Sequence, residues 1–596
     1  MLFNVSLIIL FPLLGAWILV KATRQTMKVR DVAALAMLLT VTISNAVNWI
    51  MRGKSVIGHV NRNPRFYALH IGIALVVVLA SYLIIRMMKK NNYTIRIYRF
   101  YTASILSILL FMIIYILWIL STMGTLTFDI VLNNIISPIN TQTGTFINDI
   151  VGLGSNFVAI FFGFFTIAYS KDLVTPIRWK SRRNTPLWVR FTNRMGVAII
   201  AVLVVSLSFQ ALYVPQIISY ALSNDTFFED HYVNPHDANL QFPEKKRNLI
   251  YIFVESLETT YLDKERGGNH DVNMIPNLTR YLEGGAVNFS NTDAPYGGIQ
   301  NVPGATWSIA GMSTQMSGIP YKKPPGERED GYVESFLPGM VNLGDILHEQ
   351  GYRQRLIAGA NASFYGIRSF YEQHGNYEIY DWGKVKEVGW LDKDYLEWWG
   401  FEDRKLFDMA KMSLNEFSQS DQPFNLVLET NDLHFPDGYI DSTCEKPFGQ
   451  PYANAISCND AAIGEFLDWV VQQDFYENTT VIINGDHLSM DATYFQTLDQ
   501  SYDRTTFSMY LNSTWDKTLP QTTLKNRTYS ALDVLPTALS ALGVSFDGSQ
   551  LGIGVDLSSG EQTLSEKYTI EYLRKVMEMR SEFYESNILT VSSDDN

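Results

Sequence analysis

Six long apolar stretches crowd the first third of the chain, at about 2–20, 31–50, 67–88, 100–122, 148–170 and 196–221. About 20 apolar residues in a helix cross the hydrocarbon core of a bilayer. Buried helices of a soluble domain do not repeat runs of this length, so residues 1–221 are expected to form a transmembrane domain of about five to six helices. The stretch 31–50 carries Thr, Ser and two Asn and is the weakest. No small-residue cleavage motif follows the first stretch, which is therefore read as a span rather than a signal peptide. Loop charge sets the orientation. Lys171, Arg178, Lys180, Arg182, Arg183, Arg190 and Arg194 place the loop 171–194 in the cytoplasm, whereas 123–147 has no Lys or Arg and faces outward. The last span then delivers everything after 221 to the outer face. The loop 51–66, with Arg52, Lys54, Arg62 and Arg65, runs against this topology, and the larger basic loop beside the last span decides.

Beyond the last span, Phe227, Phe228, Tyr232 and Pro235 suggest an interfacial linker over 222–244. Residues 245–560 alternate short apolar runs with helical patterns, which is the signature of β-α units around a largely parallel sheet. Strands are expected at 249–254, 353–358, 424–428, 481–484 and 506–511, and helices at 275–283, 308–316, 341–350, 402–418, 458–471 and 531–542. The polar tail 561–596 is expected to be peripheral. The formal charge of −13 falls mostly in this second part, which excludes the basic face a nucleic-acid partner needs. The two cysteines, Cys444 and Cys458, lie in a segment placed outside the cytoplasm, where a disulfide is favoured over two free thiols.

The strand ends carry the chemistry. Asn248–Val254 reads as a buried parallel strand that throws Glu255 off its C-terminal end, and Val481–Asn484 ends in Gly485, Asp486 and His487. Ligands of open α/β sheets gather at that edge. An Asp-His pair alone is more simply a solvated loop. With Glu255 at a second strand end it becomes a metal site, whose mixed carboxylate and imidazole donors suit Mn²⁺ or Zn²⁺ better than Ca²⁺. A nucleophile is expected in Gly304–Met312, where Thr306 or Ser308 sits at a helix N-terminus that favours phosphate. Either is an ordinary N-cap by default, and its hydroxyl needs a metal or base to attack.

Val-Glu-Ser-Leu-Glu at 254–258, Thr-Trp-Ser-Ile-Ala-Gly-Met at 306–312, Gly-Asp-His-Leu at 485–488 and Asp-Val-Leu-Pro-Thr at 533–537, in this order, resemble the alkaline phosphatase/sulfatase superfamily. Within it the chain is most similar to membrane-anchored phosphoglycerol transferases, over about 245–560. The resemblance implies an α/β alkaline phosphatase-like domain behind the multi-span α-helical membrane domain. It implies Glu255, Asp486 and His487 as ligands of one divalent ion, most simply Mn²⁺, with Mg²⁺ or Zn²⁺ as alternatives. Thr306 is expected as nucleophile and further ligand, with Ser308 in reserve because one residue of register separates Thr306 from the inert Ala305. His434 is expected to contact the substrate head group and Arg368 the phosphate.

The implied function is transfer of glycerol phosphate from phosphatidylglycerol to a hydroxyl of an extracytoplasmic polysaccharide or oligosaccharide, at a bacterial inner membrane. A phosphoethanolamine transferase is the rival enzyme, although such relatives usually carry several cysteine pairs. A non-catalytic receptor or assembly factor is the rival of another class, and the complete ligand set argues against it.

Overall fold

The run Asn248–Val254 is wholly buried from Leu249 onward and forms β1, at the centre of a seven-stranded sheet. The structure is a computed structural model that describes residues 14–23, 32, 36, 40, 64–90, 214–323, 332–515 and 519–590. The other strands are β2 (Gly298–Gln300), β3 (Arg353–Ala358), β4 (Glu378–Tyr380), β5 (Phe424–Glu429), β6 (Thr479–Gly485) and β7 (Thr505–Leu511). Their order is β2-β7-β6-β1-β5-β3-β4. β1 runs parallel to β5 and β6, and β3 runs parallel to β5 and β4. Within this sheet, among the described residues, only β7 against β6 and β2 against β7 are antiparallel.

Parallel strands must be covered on both faces, and β1 alternates accordingly. Leu249, Tyr251 and Phe253 enter one apolar core, whereas Ile250, Ile252 and Val254 enter the other. Burying each such side chain stabilises by about 1.5–3 kcal/mol. The covering helices start where local chemistry lets them. Pro276–Glu283 and Pro451–Val470 begin on a proline, which gives up no needed N–H, and Leu343–Glu349 begins on an Asn342/Asp345 capping box. Ser308–Ser317 stops at Gly318, whose φ of 67° is left-handed.

All five expected strands form, each within two residues of its expected bounds. β2 and β4 are three-residue edge strands too short to show a period. The helix expected at 458–471 begins at Pro451, and that expected at 531–542 is a 3₁₀ turn followed by Val534–Ala541. Cys444 and Cys458 are joined in a disulfide, with Cα atoms 5.6 Å apart.

Two expectations change. The segment 222–244, expected as an interfacial linker, packs onto the domain. Phe227 and Phe228 are buried in the core, and Val233 and Gln241 form bridges to Gly552 and Ser545. The tail is not peripheral either, because Leu573, Val576, Met577, Tyr584 and Ile588 are buried in the same core.

The chain divides into two units, Met1–Thr122 with Thr141–Pro215 and Met123–Asn140 with Gln216–Asn596. In the first unit the helix Pro64–Lys90 contains the expected stretch 67–88. The expected spans 100–122 and 148–170 lie outside the described residues, as do most of 31–50 and 196–221. Among the described residues no helix is long and apolar enough to cross a membrane.

Candidate active site

Because β1, β5 and β6 are parallel and in register, their C-terminal ends meet at one edge. Phe253 pairs with Glu429, and Val254 pairs with Gly485. The residues that follow, Glu255 and Asp486, therefore emerge side by side. Glu255 is fixed by its own backbone N–H, which donates to Thr430 Oγ1 at 3.1 Å. The chain then turns through Ser256 at a φ of 54°, a left-handed conformation a serine adopts only when held. Its N–H donates to Asp486 Oδ1 at 2.8 Å and its hydroxyl to Glu255 Oε1 at 2.5 Å. Asp486 Oδ1 also accepts the N–H of His487 at 2.8 Å.

His487 completes the group. Its Nδ1 lies 2.8 Å from the Leu488 carbonyl oxygen, which can only accept. Nδ1 therefore carries the proton and Nε2 presents a lone pair. Nε2 is 3.5 Å from both Glu255 Oε1 and Asp486 Oδ2. Donor atoms of the three residues all lie within 4.8 Å of one another, and all three are buried.

A fourth donor comes from the helix Ser308–Ser317. Ser308 Oγ lies 3.3 Å from Glu255 Oε2 and 3.4 Å from His487 Nε2. Oxygen and nitrogen donors about 2.1 Å from a tetrahedral ion stand about 3.4 Å apart. Four separations among these groups, 3.3, 3.4, 3.5 and 3.5 Å, are close to that edge, with Glu255 reaching Ser308 through Oε2 and His487 through Oε1. Two buried carboxyl groups and an imidazole nitrogen converging on one point are also a donor set that suits a borderline divalent cation. The residues present fit a divalent ion.

The helix is seated on the sheet closely enough to fix that serine. A Cβ at Gly311 would stand 1.9 Å from the Asp486 carbonyl oxygen, so only glycine permits the approach. Beneath it, Gln315 Nε2 donates to Gly485 O at 2.9 Å, and its Oε1 accepts from Tyr251 and Asn484, each at 2.9 Å. Trp307 is extended at the N-cap, which makes Ser308 the first helical residue. Thr306 lies before the cap and is buried. The hydroxyl of Ser308, the reserve residue, lies against Glu255 and His487.

Electrostatics follow from burial and crowding. Burial raises the Asp486 carboxyl, His487 opposes this, and with Glu255 adding to the rise it is pushed up to about 7. Burial also raises Glu255, but His487, His434 and the hydroxyls of Ser256 and Ser308 outweigh it and hold the carboxyl below its usual value. Burial disfavours the charged form of His487, yet Asp486 and Glu255 prevail and raise it. Glu429, the last residue of β5, was given no role from the sequence, and burial, Asp486 and Glu255 push its carboxyl up to about 8. Its position at a strand end was the available signal.

His434 is near enough to stabilise the Glu255 carboxylate. Its Nδ1 is 2.8 Å from Phe435 O, and its ring lies 4.6 Å from that of Trp399. Arg368 is engaged elsewhere. Its guanidinium pairs with Asp381 at 2.7 Å and Glu372 at 3.2 Å. Asp381 also caps the helix Trp382–Glu387, so Arg368 ties two helices together and its charge is already met by carboxylates.

A mostly parallel sheet carrying these donors at its C-terminal edge is an alkaline phosphatase-like sulfatase domain. Residues 247–544 match the Sulfatase family, and the chain belongs to it. It is 32% identical over 354 residues to phosphoglycerol transferase I of Escherichia coli O6:K15:H31 (strain 536 / UPEC), covering 58% of this chain and 43% of that protein. Phosphoglycerol transferase I of Shigella boydii serotype 18 gives the same figures, 32%, 58% and 43%. The chain thus matches less than half the length of these relatives. Among solved structures it is similar to an alkaline phosphatase superfamily protein from Vibrio parahaemolyticus, with a TM-score of 0.41 and 23% identity over 55% of this chain and 74% of that one. It is also similar to the integral membrane lipooligosaccharide phosphoethanolamine transferase A from Neisseria meningitidis, with a TM-score of 0.43 and 13% identity over 89% of this chain and 99% of that one.

Proposed function

We propose that the protein transfers glycerol phosphate from phosphatidylglycerol to a hydroxyl of an extracytoplasmic glycan, through a covalent intermediate on Ser308. One observation carries this reading: Ser308 Oγ sits at a helix N-terminus, within 3.4 Å of both Glu255 and His487. The 32% identity to phosphoglycerol transferase I supports the choice of donor.

A divalent cation held by Glu255, Asp486, His487 and Ser308 would supply positive charge to the phosphoryl oxygens and lower the pKa of the serine hydroxyl. Ser308 Oγ attacks phosphorus. The Oγ–P bond forms, the P–O bond to diacylglycerol breaks, and the serine proton leaves with the diacylglycerol oxygen. The first-turn N–H groups of the helix Ser308–Ser317 face the transferred phosphate, as helix N-termini do in general. A glycan hydroxyl then attacks the same phosphorus, releases Ser308 and gives up its proton. His434, with Nδ1 occupied by Phe435 O, offers Nε2 to the head group or to that proton. The apolar stretches of 1–221 would hold this site at the outer leaflet, close to its lipid donor. Exposed Leu75, Val76, Leu79 and Leu83 on the helix Pro64–Lys90 favour a lipid environment.

Intact-mass measurement of the full chain with phosphatidylglycerol tests the covalent step. A glycerophosphoryl adduct is expected on the wild type and on Thr306→Ala, and is expected to vanish in Ser308→Ala. An adduct that persists in Ser308→Ala and disappears in Thr306→Ala returns the role to Thr306.

A further inference from the structure

The turn 397–400 joins the loop 388–396 to the start of the helix Asp403–Phe417, and it is built in an unusual way. Glu397 and Gly400 exchange backbone hydrogen bonds of 3.0 and 2.9 Å, leaving Trp398 and Trp399 at the tip. Two-residue tips favour Gly, Asn or Asp. Here Trp398 is held at a φ of 53°, where a bulky side chain is strained. At the tip Trp399 is 40% exposed, and Leu396, three residues earlier, is 60% exposed. Trp398 is anchored, its indole N–H donating to Asn431 O at 3.1 Å. Trp399 is thereby presented between the Phe364 ring at 6.2 Å and the His434 ring at 4.6 Å. His434 lies on the loop after β5, whose Thr430 Oγ1 accepts the Glu255 backbone N–H at 3.1 Å. The tip is therefore continuous with the reaction centre.

Charge distinguishes what could lie on it. Residues 388–400 hold Asp392, Asp394 and Glu397 against a single Lys393. An acidic rim is repelled by an anionic leaflet. The same rim suits a neutral sugar, whose hydroxyls donate to carboxylates while its C–H face lies on the electron-rich face of an indole.

We propose that the Trp398–Trp399 tip is the acceptor subsite, with a neutral pyranose ring stacked on Trp399 between Phe364 and His434. This deepens the reading above and rests on it for the reaction, though not for the binding.

The test uses the full chain in phosphatidylglycerol nanodiscs, with neutral α- and β-linked gluco-hexasaccharides as the probe. Tryptophan emission of the wild type is expected to change on adding at least one of them, and the change is expected to be lost in Trp399→Ala. In turnover, Trp399→Ala is expected to raise the KM for the sugar about tenfold, with Trp399→Phe recovering most of it. The proposal is overturned if no hexasaccharide alters the emission, or if the emission change survives Trp399→Ala. It also falls if the KM for lipid rises as much as the KM for sugar, or if anionic vesicles rather than sugars shift the Trp399 signal. A wild type that binds sugar but releases no diacylglycerol refutes the functional reading and leaves the subsite standing.

Discussion

Glu255, Asp486 and His487 are three ionisable groups in one buried pocket, and they do not share protons equally. The folded, metal-free protein holds the Asp486 carboxyl up at about 7 and raises His487 as well. A cation must displace those protons, so its affinity is expected to be full above pH 7 and to weaken as pH falls through about 7. Calorimetric titration with Mn²⁺ or Zn²⁺ in buffers of different ionisation enthalpy should show proton release near pH 6 and less of it near pH 8. A pH-independent affinity would mean that Asp486 is already ionised and is not crowded as described. The same shift has a stability consequence. Asp486 has a folded value above its ordinary 3.8, so the metal-free protein loses stability as pH rises between about 4 and about 7. Bound metal should reverse that trend.

The helix Ser308–Ser317 turns these separate side chains into a site, and Gly311 is its tightest point. Alanine is intrinsically better in a helix by about 1 kcal/mol. Against this, a Cβ there would meet the Asp486 carbonyl oxygen at 1.9 Å, and the backbone on both sides is fixed. Overpacking of this kind costs about 1–3 kcal/mol. Gly311→Ala is expected to lower stability by up to about 2 kcal/mol in urea unfolding and to displace Ser308 enough to cut diacylglycerol release by about a hundredfold. Unchanged release would show that the close approach does not position the serine. This helix was legible in the sequence from its small residues and its Gly318 stop, but its register was not. Whether Thr306 or Ser308 opens it depends on Trp307 being extended, at φ −157° and ψ 163°, and residue type does not dictate that backbone choice. Strand ends were easier to read. A buried run such as Asn248–Val254 must stop where a carboxylate appears, and so Glu255 and Asp486 were located in advance. The surroundings of Arg368 were not legible, since its partners Asp381 and Glu372 are brought to it by the fold.

At the scale of the domain, the two segments expected to be marginal close the structure. The tail lays Leu573, Val576, Met577, Tyr584 and Ile588 into the core. Tyr584 donates its hydroxyl to Pro320 O at 2.8 Å and packs edge-on against Phe228 at 5.4 Å. Lys322 donates to Met579 O at 3.0 Å, with its ammonium 4.9 Å from the Tyr584 ring. Pro320 and Lys322 follow the helix that carries Ser308 within five residues, so the tail and Phe228 together support the far end of that helix. Removing one large buried side chain costs about 2–5 kcal/mol, against a total stability of about 5–15 kcal/mol for a domain. Five such losses exceed what the fold can spare. A chain ending at Tyr568 is therefore expected to lack a cooperative thermal transition. The milder Tyr584→Ala is expected to lose about 3–5 kcal/mol while still folding. If the chain ending at Tyr568 melts within a few degrees of the full chain and still binds a divalent ion, the tail is the peripheral appendage its polar sequence suggests. In that case the support for the Ser308 helix must come from the sheet alone, through Gln315 and Gly311.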